Sequence, residues 1–141
     1  MATDNECLVC AAGSDIAKLA SSRMQDMPPL RLVLPTEANA RRARVDHYLS
    51  VNQVNVAETL ELDAMLGTLD IVANSDWVTV LPGILGRADR DGTKRRFMPL
   101  QDPPLSVDYM RISHKARPLN RAAQAFFDTL HEELDAALRG E

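Results

Sequence analysis

The feature that most narrows the fold is a series of short apolar runs, each stopped by a proline or a turn. Cys7-Leu8-Val9-Cys10-Ala11-Ala12 closes at Gly13-Ser14-Asp15, Leu30 to Leu34 closes at Pro35, and Trp77 to Leu81 closes at Pro82-Gly83. Runs this short, bounded by chain breakers, read as strands buried on both faces. Between them lie segments with helical spacing. A helix is expected from about Glu37 to Val51, with Thr36 as its N-cap, and another carrying Leu62, Met65, Leu66, Leu69 and Val72 up to Asn74-Ser75. Val54 to Glu58 alternates as a third strand, and Arg96 to Leu100 and Leu105 to Ser113 supply two more. A short helical piece is expected from Asp15 to about Ala20. The longest helix is expected from about Leu119 to Arg139, started by Pro118 or Asn120 and stopped by Gly140. Its stripe is Leu119, Ala123, Phe126, Phe127, Leu130, Leu134 and Leu138. Strands alternating with helices predict an α/β fold with a mostly parallel sheet flanked by helices, because parallel strands need crossover connections.

Such sheets bind ligands at the carboxyl ends of their strands. That rule selects Pro35-Thr36-Glu37, Glu58-Thr59-Leu60 and Leu81-Pro82-Gly83. A helix starting after Pro35 presents unpaired N–H groups and a positive dipole end, which suits a carboxylate, and Thr36 and Asn39 can add hydrogen bonds. Glu37 sits awkwardly beside an anion and either points away or favours a ligand with a donor group.

Several function classes find no support. The net charge of −4 gives no basic surface for the DNA backbone, and the arginine groups at 41–44 and 87–96 read as solvated faces. No stretch approaches the roughly 20 apolar residues of a membrane span, and the acidic first residues lack the pattern of a signal peptide, so a cytoplasmic location is expected. Cys7 and Cys10, three apart on a strand, point to opposite faces and read as buried reduced thiols rather than a metal pair. His47, His114 and His131 are scattered, so no metal site or cofactor is expected. A small hydrolase or transferase would need a nucleophile such as Ser14, Ser75 or Ser113 near a distant histidine, but no nucleophile elbow or phosphate loop is present and no catalytic residue is assigned. Trp77 is expected in the core, and Asp76 as a cap on the turn before its strand.

The order of pieces resembles the effector-binding domain of LysR-type transcriptional regulators. The echo is carried by Cys7 to Ala12, Leu32-Val33-Leu34-Pro35, Val54 to Glu58, and above all Ile71-Val72-Ala73-Asn74-Ser75-Asp76-Trp77-Val78-Thr79-Val80-Leu81-Pro82. Pro99 to Leu105, Arg117-Pro118-Leu119 and a final amphipathic helix complete it. Ser75-Asp76-Trp77 stands where the family often has Gly-x-Gly, which implies a distinct branch. The resemblance implies a periplasmic-binding-protein-like (type 2) fold that senses a small, carboxylated metabolite and is not an enzyme. A fragment of a solute-binding protein is the related alternative. It also implies a division into a crossing strand (residues 1–12), a second subdomain (13–104), and a returning strand with a C-terminal helix (105–141). The DNA-binding winged helix and most of the first subdomain would lie outside these residues. Thr36, Glu37, Ala38 and Asn39 would form one wall of the ligand cleft, faced by Thr59, Leu60, Leu81 and Pro82. The C-terminal stripe would then lack its usual partner, and a homo-oligomer built through that helix is expected.

Overall fold

Strand β1 (Ala2–Ala11) organises the molecule, because it pairs with three other strands along its length. In the computed structural model, which describes residues 2–19, 21–116 and 118–139, β2 (Leu30–Leu34), β3 (Val56–Glu61), β4 (Trp77–Pro82) and β5 (Arg95–Pro99) join it in the order β3-β2-β4-β1-β5. Strand β6 (Ser106–Tyr109) pairs with the first half of β1 alone, from Ala2 opposite Tyr109 to Asn5 opposite Ser106. From Glu6 onward β1 enters the main sheet, with Glu6 opposite Pro82 and Cys7 opposite both Leu81 and Pro99. The pairs β2–β3 and β2–β4 are parallel, as expected, whereas β1 runs antiparallel to β4, β5 and β6. The sheet is therefore mixed.

The fully buried strands behave as their composition demands. Leu8 and Cys10 face one layer with Leu32, Val78 and Val80, and there they meet Val45, Tyr48 and Leu49 of helix α1 (Ala40–Val51). Cys7 and Val9 face the other layer with Val33 and Leu81, where they meet Val72 of helix α2 (Met65–Ala73). A helix thus covers each face, and burying each of these large side chains is worth roughly 1.5–3 kcal/mol. The two thiols do sit on opposite faces, both free and buried. Burial, with Asp4 and Glu6 adding to it, pushes the Cys7 thiol up to about 12.

Several boundaries differ from the sequence reading. The start of β1 moves back to Ala2, because pairing with β6 recruits the polar residues before Cys7. The short helical piece is a single 3₁₀ turn, Ile16–Lys18. Helix α1 begins at Ala40, since Asn39 rather than Thr36 caps it by accepting from Arg41 N at 3.0 Å. β3 spans Val56–Glu61 instead of ending at Glu58, and β6 covers only four residues of the expected 105–113 strand. Helix α3 (Arg121–Arg139) is capped by Asn120, whose Oδ1 accepts from Ala123 N at 2.8 Å. Ala20, Arg117 and the Gly140 stop lie outside the described residues. Among those residues no helix is long and apolar enough to cross a membrane.

Candidate functional site

Because β2, β3 and β4 run in parallel, their carboxyl ends open on one side, and β1, running the other way, brings its amino-terminal half there as well. Pro35 and Thr36 leave β2, Leu62 and Asp63 leave β3, and Pro82 and Gly83 leave β4 directly opposite Glu6. Thr36, Leu81 and Pro82 therefore share this end, although Leu81 packs into the second core layer and Pro82 is buried too. Thr59 and Leu60 do not. They pair with Leu32 and Val33 in mid-strand on the exposed sheet edge, because β3 continues to Glu61. Glu37, Ala38 and Asn39 form the exposed turn leading into α1.

Thr36 has a specific occupant. Its backbone N–H donates to Asp63 Oδ1 at 3.0 Å and its hydroxyl to Asp63 Oδ2 at 2.7 Å, so a single carboxylate takes both donors. The turn is held from within: Asn39 N donates to the Thr36 carbonyl at 3.0 Å, and Arg42 N to the Asn39 carbonyl at 2.9 Å. The Arg42 guanidinium reaches the Pro35 carbonyl at 2.8 Å and pairs with Glu61 and Asp46, and those carboxylates raise its pKa further.

Arg41, read from sequence as part of a solvated face, is instead tied by its charge to a buried partner. Its Nε and Nη2 grip Glu6 at 3.3 and 2.7 Å, and Nη2 also donates to the Val80 carbonyl at 3.3 Å. The Glu6 side chain is only 3% exposed, so Arg41 holds a buried carboxylate at this end of the sheet. Close by, Asp4 accepts from Ile84 N at 2.8 Å and from the Tyr109 hydroxyl at 3.4 Å. Burial, reinforced by Asp4, holds the Tyr109 hydroxyl up at about 12. At Gly83 the fit is close: a Cβ there would lie 3.0 Å from Asp4 Oδ1 and 3.3 Å from the Asn5 carbonyl, tighter than ordinary contact.

Sequence reasoning missed Asp63, Glu6 and Arg41. The available signals were an acid just beyond a strand end and an acid immediately ahead of the apolar run at Cys7. The arginines of 41–44 are paired rather than simply solvated, Arg44 donating to the Ser106 carbonyl. Arg95 likewise pairs with buried Asp89 at 2.8 Å. Trp77 is half-buried against the second core layer and carries the Arg31 guanidinium 4.4 Å from its ring centroid. Asp76 pairs with that arginine at 2.7 Å, while Ser75, not Asp76, accepts from Trp77 N to close the turn.

The serines weighed as nucleophiles have backbone roles where they are bonded. Ser14 Oγ accepts from Ala17 N, and Ser75 donates to the Ile71 carbonyl at 2.6 Å. His131 Nε2 lies 3.6 Å from Asp135 Oδ2, one helical turn away. No cluster of three or more metal-ligating side chains occurs among the described residues. This end of the sheet thus brings together the paired donors of Thr36, held by Asp63, and the buried Arg41–Glu6 ion pair, with Leu81 and Pro82 buried beside them.

The family model described as the LysR substrate binding domain matches residues 1–135. No curated protein is similar enough in sequence to match. Among solved structures, the regulatory domain of CcmR from Synechocystis PCC6803 in complex with 2-PG is similar with a TM-score of 0.68 and 13% identity, over 91% of this chain and 62% of that one. HinK, a LysR family transcriptional regulator from Pseudomonas aeruginosa, gives 0.66 and 17%, over 94% and 45%. The effector-binding domain of QuiR in complex with shikimate gives 0.60 and 18%, over 97% and 61%. The chain thus spans about half to three-fifths of the length of these solved relatives, and at such identities the likeness is one of fold.

Proposed function

The chain belongs to the LysR substrate-binding domain family, and from that premise we propose that it senses a small carboxylated effector for transcriptional control in the cytoplasm. That family comprises effector-binding domains of regulators rather than enzymes. Residues 13–104 act as the effector-binding subdomain, while β1, β6 and α3 belong to the crossing strands and the first subdomain. The effector lies against Thr36 to Asn39, with Leu81 and Pro82 beside it. Thr59 and Leu60 stand in mid-strand and contribute less than the sequence reading assigned them.

One observation carries this reading: Thr36 already binds a carboxylate through its N–H and its hydroxyl together. A ligand carboxylate can take those two donors from Asp63. The displaced Asp63 then accepts from a hydroxyl on the ligand, which favours hydroxy acids over simple acids. A thermal-shift and calorimetric screen of small carboxylic and hydroxycarboxylic acids tests this. A hydroxy acid should raise the melting temperature of the wild-type chain, and Thr36→Val should weaken its binding roughly tenfold or more. Failure of every acid to bind, or unchanged affinity in Thr36→Val, overturns the reading.

The proposal extends to self-association through α3. Phe126 and Leu130 stand exposed on its stripe, and a second copy of the chain supplies an apolar surface of the same kind. Light scattering at micromolar concentration should show a dimer that Phe126→Ser with Leu130→Ser converts to monomer. A wild-type chain that is monomeric throughout rejects it.

A further inference from the structure

We propose that helix α1 is a clamp that links the Thr36 opening to the β1–β6 ribbon, with the Arg41–Glu6 pair as its principal joint. The regulatory meaning of the clamp rests on the effector-binding reading above, but the coupling itself requires no ligand.

Glu6 marks the point where the ribbon becomes the sheet. Asn5 is the last β1 residue opposite β6, and Glu6 is the first opposite β4. Its N–H donates to the Leu105 carbonyl at 2.8 Å, just before β6, and its carbonyl accepts from Leu100 N at 2.9 Å, just after β5. A carboxylate buried at this junction is costly unless a cation holds it in good geometry. Arg41 meets it with two nitrogens. Well-packed apolar residues could fill such a place as stably, so the ion pair contributes direction more than strength.

The same helix also holds the ribbon's second strand. Arg41, Arg44 and Tyr48 follow one another at spacings of three and four, which sets them on one face of α1. Arg44 donates to the Ser106 carbonyl, the first residue of β6, and the Tyr48 hydroxyl to the Pro103 carbonyl at 2.8 Å in the segment leading to it. Three successive positions along one helix face thus touch β1 at the junction, β6, and the approach to β6.

At its amino-terminal end, where Arg41 stands, α1 joins the Thr36 turn without slack. Asp63 holds Thr36, the Thr36 carbonyl accepts from Asn39 N, and the Asn39 side chain accepts from Arg41 N at 3.0 Å. The chain of contacts Asp63–Thr36–Asn39–Arg41–Glu6 is continuous, each link a hydrogen bond or ion pair. An event that frees Thr36 from Asp63 therefore acts on the start of α1, and through Arg41 on the strand that leaves the sheet.

Spatial continuity alone does not establish coupling, and a double-mutant cycle does. Hydrogen exchange would be followed by mass spectrometry on the full chain, at the amides of Ala2–Asn5 and Ser106–Tyr109. Arg41→Gln should speed exchange in the ribbon roughly tenfold or more and leave the β2–β4 pairs unchanged. Asp63→Ala should speed ribbon exchange severalfold in the wild-type background and leave it unaltered in Arg41→Gln. Independent, additive effects, or an Asp63→Ala effect confined to β2 and β3, overturn the proposal. Should Arg41→Gln fail to fold, Tyr48→Phe removes a single hydroxyl; it should loosen β6 measurably and reduce the Asp63→Ala effect there, and no change in either rejects the clamp. If no acid binds yet the cycle is non-additive, the effector reading has failed and the clamp stands.

Discussion

The sheet body and the arm made of β6 and α3 contain similarly apolar segments that meet opposite fates. In the body Leu8, Val9, Leu32 and Val33 are wholly enclosed, whereas Phe126 and Leu130 of the arm are 62% and 46% exposed. The difference lies in the complement rather than in the residues. A sheet with a helix on each face encloses both sides of its central strands, while α3 touches β1 and the Gly83–Asp89 turn near the end where Ala137 is buried. In the middle of its stripe Phe127 is half-buried with the Arg111 guanidinium over its ring, but Phe126 and Leu130 stay exposed. An amphipathic pattern states that a face seeks cover; it does not state what supplies that cover.

The comparison breaks most readily at single large side chains. Leu32→Ala should cost about 2–5 kcal/mol in urea unfolding, from lost transfer energy and the cavity left behind. Phe126→Ala, in dilute solution, should stay within about 0.5 kcal/mol. A comparable loss at both sites would mean that α3 is covered after all.

A smaller effect separates the two regions on the alkaline side. Cys7 in the body and Tyr109 in the arm both have folded-state values raised to about 12, from ordinary values of 9.0 and 10.0. Each favours folding fully below its ordinary value, and that contribution is lost as the pH rises from there toward 12. Urea midpoints should therefore fall above pH 9. Cys7→Ala should flatten the first part of the fall, and Tyr109→Phe only the part above 10, less strongly because Tyr109 is less enclosed. Equal flattening by both would show that the ribbon is packed as firmly as the sheet.

The smallest effect belongs to the surface pair at the far end of the body. The Arg31 guanidinium holds the Asp76 carboxyl below its ordinary 3.8. That contribution is present above the ordinary value and fades as the pH falls through the lowered one. Because the pair is exposed to solvent and salt, Asp76→Asn should change acid unfolding only slightly. A large change would show that the pair, stacked on Trp77, braces the strand ends.

Much of this organisation was legible in the chain itself. β2 and β4 were found almost to the residue, since a buried strand stopped by proline leaves little choice of boundary. The start of α1 was misplaced by three residues because Thr36 and Asn39 are both competent caps. The deciding partner, Asp63, lies 27 residues away and draws the threonine out of that role. The same long-range pairing hid the content of the site. That Leu81 and Pro82 stand at a strand end followed from strand polarity, but the place of Thr59 and Leu60 depended on where β3 ends, and its continuation to Glu61 follows from pairing with β2. Glu6 and Arg41 are 35 residues apart and gave no joint signal.

Order of elements, the α/β class, the two-faced burial of Cys7 and Cys10, and the side on which the strands open follow from local pattern alone. Period, breaker and polarity act over a few residues, and those constraints travel with the chain wherever it folds. The antiparallel course of β1, the capture of Thr36 by Asp63 and the clasp of Arg41 on Glu6 were decided only in three dimensions. Each is a choice among chemically equivalent partners, and only the packing of distant segments determines which partner comes within reach.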